Sequence, residues 1–246
     1  LEPASTGVST NYSGININSS LSEVSWGTLA PQLYQEGIPV IKEINETTAS
    51  ISVEYQITSQ NSDGDTELYD VKEFYRMRYL DTRIYLLDFQ RSANQVFDGK
   101  LPVYSDDGII LGVRDKNVEY MMNDSATVLA FVQEGDLWSY SPGNGKVNQV
   151  FSFRKTEDGD FRDSRIQHDI KIVRVTDAGD IDFVLYGYMN RGSHEGYEGI
   201  GVYHYNPDKN VAEERAFIPV SESFEFLKKD LEKLSYVNEE NELFLL

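Results

Sequence analysis

The strongest constraint on the fold is a strand–turn–strand pattern that occurs twice within residues 127–219. The first copy spans 137–151 and the second spans 202–217. Each places a Pro-bearing turn, rich in Gly, Asn or Asp, between two largely apolar segments, which is typical of an antiparallel hairpin. Tyr140 and Tyr205 occupy matching places in the two copies, about 65 residues apart. The repeat predicts two antiparallel β units that stack and bury their faces against each other.

The second copy shows its strands most clearly. Four strands are predicted, at 170–175, 181–188, 199–205 and 211–218. The turn at 177–180 contains Gly179, and glycine readily adopts the left-handed conformation that a tight hairpin requires. One short helix is predicted near 221–234, where apolar residues recur at helical spacing.

The chain before the repeat has a simpler strand pattern. Apolar and polar residues alternate strictly over 51–57, and two aromatic-rich apolar segments at 74–79 and 84–89 flank a polar turn. These segments predict an antiparallel meander with one solvated face. Residues 4–25 are rich in Ser, Thr, Asn and Gly, which predicts a polar tether or irregular lead-in, and 20–23 fits a helix capping box.

The repeated unit resembles a β-propeller blade. Its order is strand, Asp/Asn-Gly turn, apolar strand, aromatic-rich strand, Pro-bearing turn and strand. The segment 129–140, LAFVQEGDLWSY, is similar to the middle hairpin of TolB-like and dipeptidyl-peptidase-like propeller blades. The resemblance spans roughly 104–246 and implies propeller-like four-stranded units.

These patterns predict an all-β, mainly antiparallel fold with one short helix and a separate N-terminal β region. Residues 1–25 are expected to form the polar linker or lead-in, 26–103 the β meander, and 104–246 the propeller-like repeats. The apolar residues 243–246 have no closing turn after them, so we expect the repeats to be truncated at the C-terminus.

Charge and composition narrow the range of partners. The chain has 22 Lys and Arg against 41 Asp and Glu, a formal net charge of -19. Without a basic excess to neutralise phosphates, neither nucleic acid nor an anionic membrane surface is a predicted partner. No apolar stretch approaches the ~20 residues of a membrane span, so direct membrane insertion is not predicted. The absence of cysteine excludes disulfides, cysteine-based zinc sites and a thiol nucleophile.

The candidate catalytic and metal-binding groups lack the spacing that their chemistry requires. Carboxylates alternate across the turn at 63–67, but the sequence has no twelve-residue calcium loop with its closing Glu. His168, His194 and His204 fall into no zinc-binding motif, and there is no Gly-x-Ser-x-Gly. We therefore predict no catalytic residue, no metal and no cofactor, and the balance is against an enzyme.

Aromatic residues crowd the region around the Gly-rich loop at 191–198. Tyrosine combines a rigid contact surface with a polar tip, which suits ligand or protein recognition. The same spacing is also typical of tyrosines that fill the interior between adjacent sheets. The predicted ligand-binding residues are Tyr186, Tyr188, Arg191, His194, Glu195, Tyr197, Tyr203 and Tyr205.

The predicted function is a non-catalytic ligand- or protein-binding module of a bacterial cell-envelope protein, with an unidentified protein or carbohydrate as partner. We expect it outside the cytoplasm, tethered by a segment outside this sequence. Two alternatives stay open: a carbohydrate-active hydrolase on a propeller scaffold, and a structural spacer or sensor ectodomain. A hydrolase predicts a deep acidic pocket with a carboxylate of raised pKa, whereas a binding module predicts a shallow, tyrosine-rich surface.

Overall fold

The structure is a computed structural model that describes residues 14–105, 108–112, 117–154, 160–240 and 242–245. The chain divides into two compact units. The described part of unit 1 comprises 14–101, 111–112 and 160–165, and the remaining described residues belong to unit 2. Antiparallel strands predominate in both units, which confirms the predicted all-β class.

Unit 1 is built on a six-stranded antiparallel sheet. Its strands are β1 (Ile15–Asn16), β2 (Gln32–Gln35), β3 (Val40–Ile44), β4 (Thr48–Gln60), β5 (Thr66–Leu80) and β6 (Arg83–Gln95). The order across the sheet is β1-β6-β5-β4-β2, and β3 also pairs with β4. The predicted meander is confirmed, because β4, β5 and β6 are long neighbours joined by short turns.

A short helix, α1 (Leu21–Val24), precedes the meander. The predicted capping box is present: the Ser20 hydroxyl accepts from the backbone N–H of Glu23, and the Glu23 carboxylate accepts from the backbone N–H of Ser20. Trp26 and Leu29, just after the helix, pack against the small apolar core of the sheet. That core contains Ile57, Tyr69, Val71 and Ala93. A single 3₁₀ turn, Phe161–Ser164, also belongs to unit 1.

Unit 2 contains two four-stranded antiparallel sheets. The first consists of β9 (Tyr120–Met122), β10 (Leu129–Gln133), β11 (Asp136–Ser141) and β12 (Lys146–Phe151). The second consists of β13 (His168–Val175), β14 (Ile181–Tyr188), β15 (Glu198–Asn206) and β16 (Val211–Pro219). In each sheet the strands pair in chain order, and the second sheet follows the four predicted strands closely. The described residues also form two small antiparallel strand pairs: β7 (Tyr104–Ser105) with β8 (Gly108–Ile109), and β17 (Ser235–Val237) with β18 (Leu243–Leu245).

The two sheets repeat each other at the level of register. Tyr140 in β11 pairs with the first residue of β10 and the second residue of β12. Tyr205 in β15 pairs with the first residue of β14 and the second residue of β16. Their burial differs, because Tyr205 is buried and Tyr140 is only half-buried. The repeat is therefore confirmed as two four-stranded sheets, and within the described residues these sheets do not close into a propeller.

Both sheets of unit 2 contribute to one apolar core. Its buried members include Ala130, Leu137 and Val150 from the first sheet and Ile170, Phe183, Leu185 and Tyr205 from the second. On the opposite face of the second sheet lies the predicted helix, α2 (Phe224–Leu234), which buries Leu227 and Leu231. Lys228 of this helix donates to the carboxylate of Asp169 in β13 at 2.7 Å. No helix among the described residues is long and apolar enough to cross a bilayer.

Side-chain hydrogen bonds join the β9–β10 turn of the first sheet of unit 2 to the β13–β14 turn of the second. One carboxylate oxygen of Asp177, in the β13–β14 turn, accepts from the Asn123 amide and the Ser125 hydroxyl, each at 2.7 Å. These hydrogen bonds favour the ionised carboxylate and lower the pKa of Asp177. Gly179 completes the turn with a φ of +89°, as predicted.

Candidate functional site

The loop between β14 and β15 is held in shape by its own backbone. The N–H of Met189 donates to the carbonyl of Tyr197 at 2.9 Å, and the N–H of Gly196 donates back to the carbonyl of Met189 at 3.0 Å. Gly192 and Gly196 have φ angles of +91° and +94°, which favour glycine. Met189 anchors the loop because its side chain is buried in the core of unit 2. The loop is a preformed element that presents its side chains from a fixed frame.

His194 is fixed by two contacts. Its imidazole lies parallel to the ring of Phe217 in β16, with centroids 3.8 Å apart and planes 9° apart. Its Nε2 lies 2.9 Å from Oε1 of Glu214. Both of these side chains are partly exposed. The stack and the carboxylate together hold the imidazole on the surface of the second sheet.

Tyr203 makes a hydrogen bond to the second oxygen of the same carboxylate. Its hydroxyl donates to Oε2 of Glu214 at 2.8 Å, and its ring stacks on Phe183 with centroids 5.3 Å apart. Burial, followed by the hydrogen bond to Glu214, raises the pKa of Tyr203. The hydroxyl therefore stays protonated, so it donates to Glu214 at neutral pH. His194, Glu214 and Tyr203 form one connected polar cluster over an aromatic floor.

The other predicted residues in and next to the loop differ in their contacts and exposure. The Nε of Arg191 donates to the carbonyl of Phe153 at 2.6 Å, which ties the loop to the segment after β12. Tyr197 is 61% exposed, and Glu195 is also exposed. Tyr188 is half-buried at the end of β14.

Two of the predicted tyrosines lie in the interior. Tyr186 is buried beneath α2, where its ring lies 6.4 Å from that of Phe224, and burial raises its pKa. Tyr205 is buried in the core between the sheets, and its hydroxyl donates to Oδ1 of Asn210 at 2.8 Å. Neither ring takes part in the exposed cluster, so the structure brings together His194 and Tyr203 from the predicted set.

Sequence reasoning missed Glu214 and Phe217. These residues are three apart, so a regular strand would place them on opposite faces. The β15–β16 register shifts next to Tyr203: Tyr203 pairs with Glu214, whereas Gly201 pairs with Phe217. This bulge brings Glu214 and Phe217 to the same face. Residues 211–216 contain no glycine or proline that would signal the bulge, so alternation along the strand does not reveal it.

A separate groove of about 610 Å³ lies on unit 1 beside β1. Polar side chains dominate its lining, including Asn16, Asn18, Lys72 and Gln90. Among its described lining residues only Asp88 carries a carboxylate. The groove therefore supplies no pair of acids for glycoside hydrolysis.

Across the ranges that the structure describes, no group of three or more His, Asp or Glu side chains is placed to hold a metal ion.

The chain matches no known family model and no curated protein. What the site can do follows from its geometry: it offers flat aromatic surface and a carboxylate acceptor, both held in place before any ligand arrives.

Proposed function

We propose that the protein is a non-catalytic binding module that recognises its ligand through the loop 189–198 and the adjoining face of β15 and β16. The observation that carries this proposal is His194, which stacks on Phe217 and shares Glu214 with Tyr203. The exposed residue Tyr197 is close to it in the loop, because its backbone N–H donates to the His194 carbonyl at 3.1 Å. A preorganised surface of this kind loses little conformational entropy on binding.

The chemistry of the cluster suggests the kind of ligand. Each oxygen of Glu214 accepts one hydrogen bond within the cluster and has a further lone pair available for an incoming hydroxyl, amide or ammonium donor. The exposed ring of Tyr197 suits a flat apolar face. The ligand class is therefore one that combines hydrogen-bond donors with an apolar face, as in a saccharide or a peptide segment.

The proposal also includes the propeller-like architecture and the cell-envelope location that the sequence predicted. The two four-stranded sheets support a propeller-like description of unit 2. A cell-envelope location rests on the polar composition of residues 4–25 and on the resemblance to propeller blades. No specific observation favours the hydrolase, since the connected cluster contains the single carboxylate of Glu214.

The test is a titration of the purified chain against defined oligosaccharides and peptides, read by thermal shift and calorimetry. Tyr197→Ala and Glu214→Gln should each weaken binding about tenfold or more, which is typical of central contact residues. Tyr120→Ala is the matched control, because Tyr120 is 65% exposed and lies in the first sheet. It should leave the affinity unchanged.

Any of three results would count against the proposal. The first is that neither ligand class binds, and the second is that the control variant weakens binding as much as Tyr197→Ala. The third is that a saccharide is cleaved during the titration. The last result would favour the hydrolase alternative.

A further inference from the structure

The turn between β11 and β12 contains the dipeptide Asn144-Gly145, and the sequence has no other Asn-Gly pair. The turn closes one end of the β11–β12 ladder, where Ser141 pairs with Lys146. Asn144 is exposed, and so is the residue before it, Gly143. Water therefore has access to the Asn144 side chain.

The side chain of Asn144 folds back over the peptide bond that follows it. Its Oδ1 accepts a hydrogen bond from the backbone N–H of Lys146 at 3.0 Å, which closes an Asx turn. Because the ring closed by this bond includes Gly145, the Gly145 nitrogen is held close to Cγ of Asn144. If a nucleophile adds to Cγ, the same N–H stabilises the negative charge that develops on Oδ1.

Gly145 offers an unhindered backbone nitrogen. It has no side chain, and nothing beyond its chain neighbours lies within 4 Å of a Cβ built there. Its φ of +63° lies in the left-handed region that favours glycine. No backbone carbonyl among the described residues accepts a hydrogen bond from the Gly145 N–H. A nucleophile and an activated carbonyl carbon therefore lie side by side in this turn.

We propose that Asn144 is a site of spontaneous deamidation in the folded protein. The Gly145 nitrogen attacks Cγ of Asn144, so that a new N–Cγ bond closes a five-membered succinimide ring. The Cγ–Nδ2 bond breaks, and Nδ2 leaves as ammonia with the proton that the Gly145 nitrogen loses. Water then opens the ring: addition at Cγ gives aspartate, and addition at the backbone carbonyl carbon gives isoaspartate. Water is the only co-reactant, and the modification is independent of ligand recognition by the loop 189–198.

Asn16 provides an internal comparison. It is also exposed, and its Oδ1 accepts from the backbone N–H of Asn18 at 2.9 Å, so it closes the same kind of turn. The residue that follows it is Ile17, whose β-branched side chain is stiff and crowds the backbone nitrogen. Asn16 should therefore deamidate more slowly than Asn144, although both side chains accept the same hydrogen bond.

The product alters the turn in two ways. Either form of aspartate adds one negative charge to the formal net charge of -19. Isoaspartate also adds a methylene group to the main chain between β11 and β12. The buried residues Leu137 and Trp138 lie towards the other end of β11, so the sheet should stay folded after the change.

Incubation of the purified chain in mildly alkaline buffer tests the proposal, because base removes the proton from the attacking nitrogen. Peptide mass mapping should show that Asn144 is converted about tenfold or more faster than Asn16, a barrier difference of about 1.4 kcal/mol. An isoaspartate-specific methyltransferase should label the peptide that contains residue 144. Asn144→Gln should lose this label, since glutamine would have to close a six-membered ring.

Gly145→Ala tests the role of the unhindered nitrogen. The added methyl meets no other atom, so the variant should fold, and it should convert Asn144 about tenfold or more slowly. Circular dichroism spectra that match those of the unaltered chain would show that it is folded.

Any of three results would overturn the proposal. The first is that Asn144 stays intact or is converted no faster than Asn16. The second is that Gly145→Ala, folded normally, is converted as fast as the unaltered chain. The third is that Asn144 is converted only after unfolding in urea, which would mean that the folded turn protects it.

Discussion

Phe217 contacts both the imidazole of His194 and the backbone at Gly199. Its ring is parallel to His194, with centroids 3.8 Å apart. The same ring lies against Gly199, where a Cβ would clash with it and meet the carbonyl oxygen of Ile218 at 2.9 Å. The absence of a side chain at position 199 therefore sets the position of the aromatic floor under the candidate site.

Gly199→Ala should displace Phe217 and loosen the His194 stack. Overpacking of this kind destabilises proteins by about 1–3 kcal/mol, which urea unfolding would measure. Gly143→Ala is the control, because nothing lies within 4 Å of a Cβ built there, and its effect should stay within about 0.5 kcal/mol. Equal losses for the two variants would contradict this account of Gly199.

His168 predicts a pH dependence of stability. Its buried Nε2 lies 3.1 Å from the carbonyl of Gly135, and its Nδ1 has no hydrogen-bond partner in the described chain. Burial lowers the pKa of His168 to about 4 from an ordinary value of 6.5. The folded protein thus holds this imidazole neutral where the unfolded chain binds a proton.

The contribution of the buried, neutral His168 to the free energy of unfolding is therefore fully present above pH 6.5. It is lost as the pH falls towards 4. The shift corresponds to about 3 kcal/mol over that range, at roughly 1.4 kcal/mol per pH unit. The free energy of unfolding of His168→Gln should fall less over the same pH interval, since glutamine does not titrate. Parallel pH profiles for the two proteins would show that His168 is not protonated differently on unfolding.

The two equivalent tyrosines of the repeat should respond differently to loss of their hydroxyls. Tyr205 donates to Asn210 at 2.8 Å, so Tyr205→Phe should destabilise the protein by about 1 kcal/mol. Tyr140 makes no such hydrogen bond with another described residue, and Tyr140→Phe should be close to neutral. Thermal unfolding of the two variants compares them directly. A larger loss for Tyr140→Phe would contradict the difference between the two sheets.

Sequence patterns predicted the second sheet of unit 2 and the meander of unit 1 well because both carry strong local signals. Gly179 in the β13–β14 turn and strict alternation in β4 are properties of a few neighbouring residues. The exposed cluster depended on the bulge in β16, which arises from pairing with β15 and has no local signature. The exposure of Ile84 escaped prediction for a related reason: an apolar side chain in a strand predicts burial, and only the fold shows that this one is exposed.

A buried ion pair between Arg91 and Glu73 is expected to contribute strongly to the stability of unit 1. The Arg91 Nε lies 2.6 Å from Oε1 of Glu73, and both side chains are only 8% exposed. The hydroxyls of Tyr55 and Tyr75 also donate to this carboxylate, at 3.0 and 2.5 Å. Trp26 covers the guanidinium at 4.1 Å from its ring centroid. A guanidinium and two hydroxyls therefore surround the buried Glu73 carboxylate and replace the water that it loses on folding.

Arg91→Met should leave that buried carboxylate without its cation and cost about 3–5 kcal/mol of unfolding free energy. Lys72→Met is the matched control, because Lys72 pairs with Glu54 at 3.0 Å but is 57% exposed, and such pairs contribute about 0–1 kcal/mol. Adding Glu73→Gln to Arg91→Met should recover part of the loss, since the amide carries no charge to desolvate. Equal losses of unfolding free energy for Arg91→Met and Lys72→Met, measured by urea unfolding, would contradict this prediction. They would mean that water reaches Glu73, so that its ion pair with Arg91 contributes no more than an exposed pair.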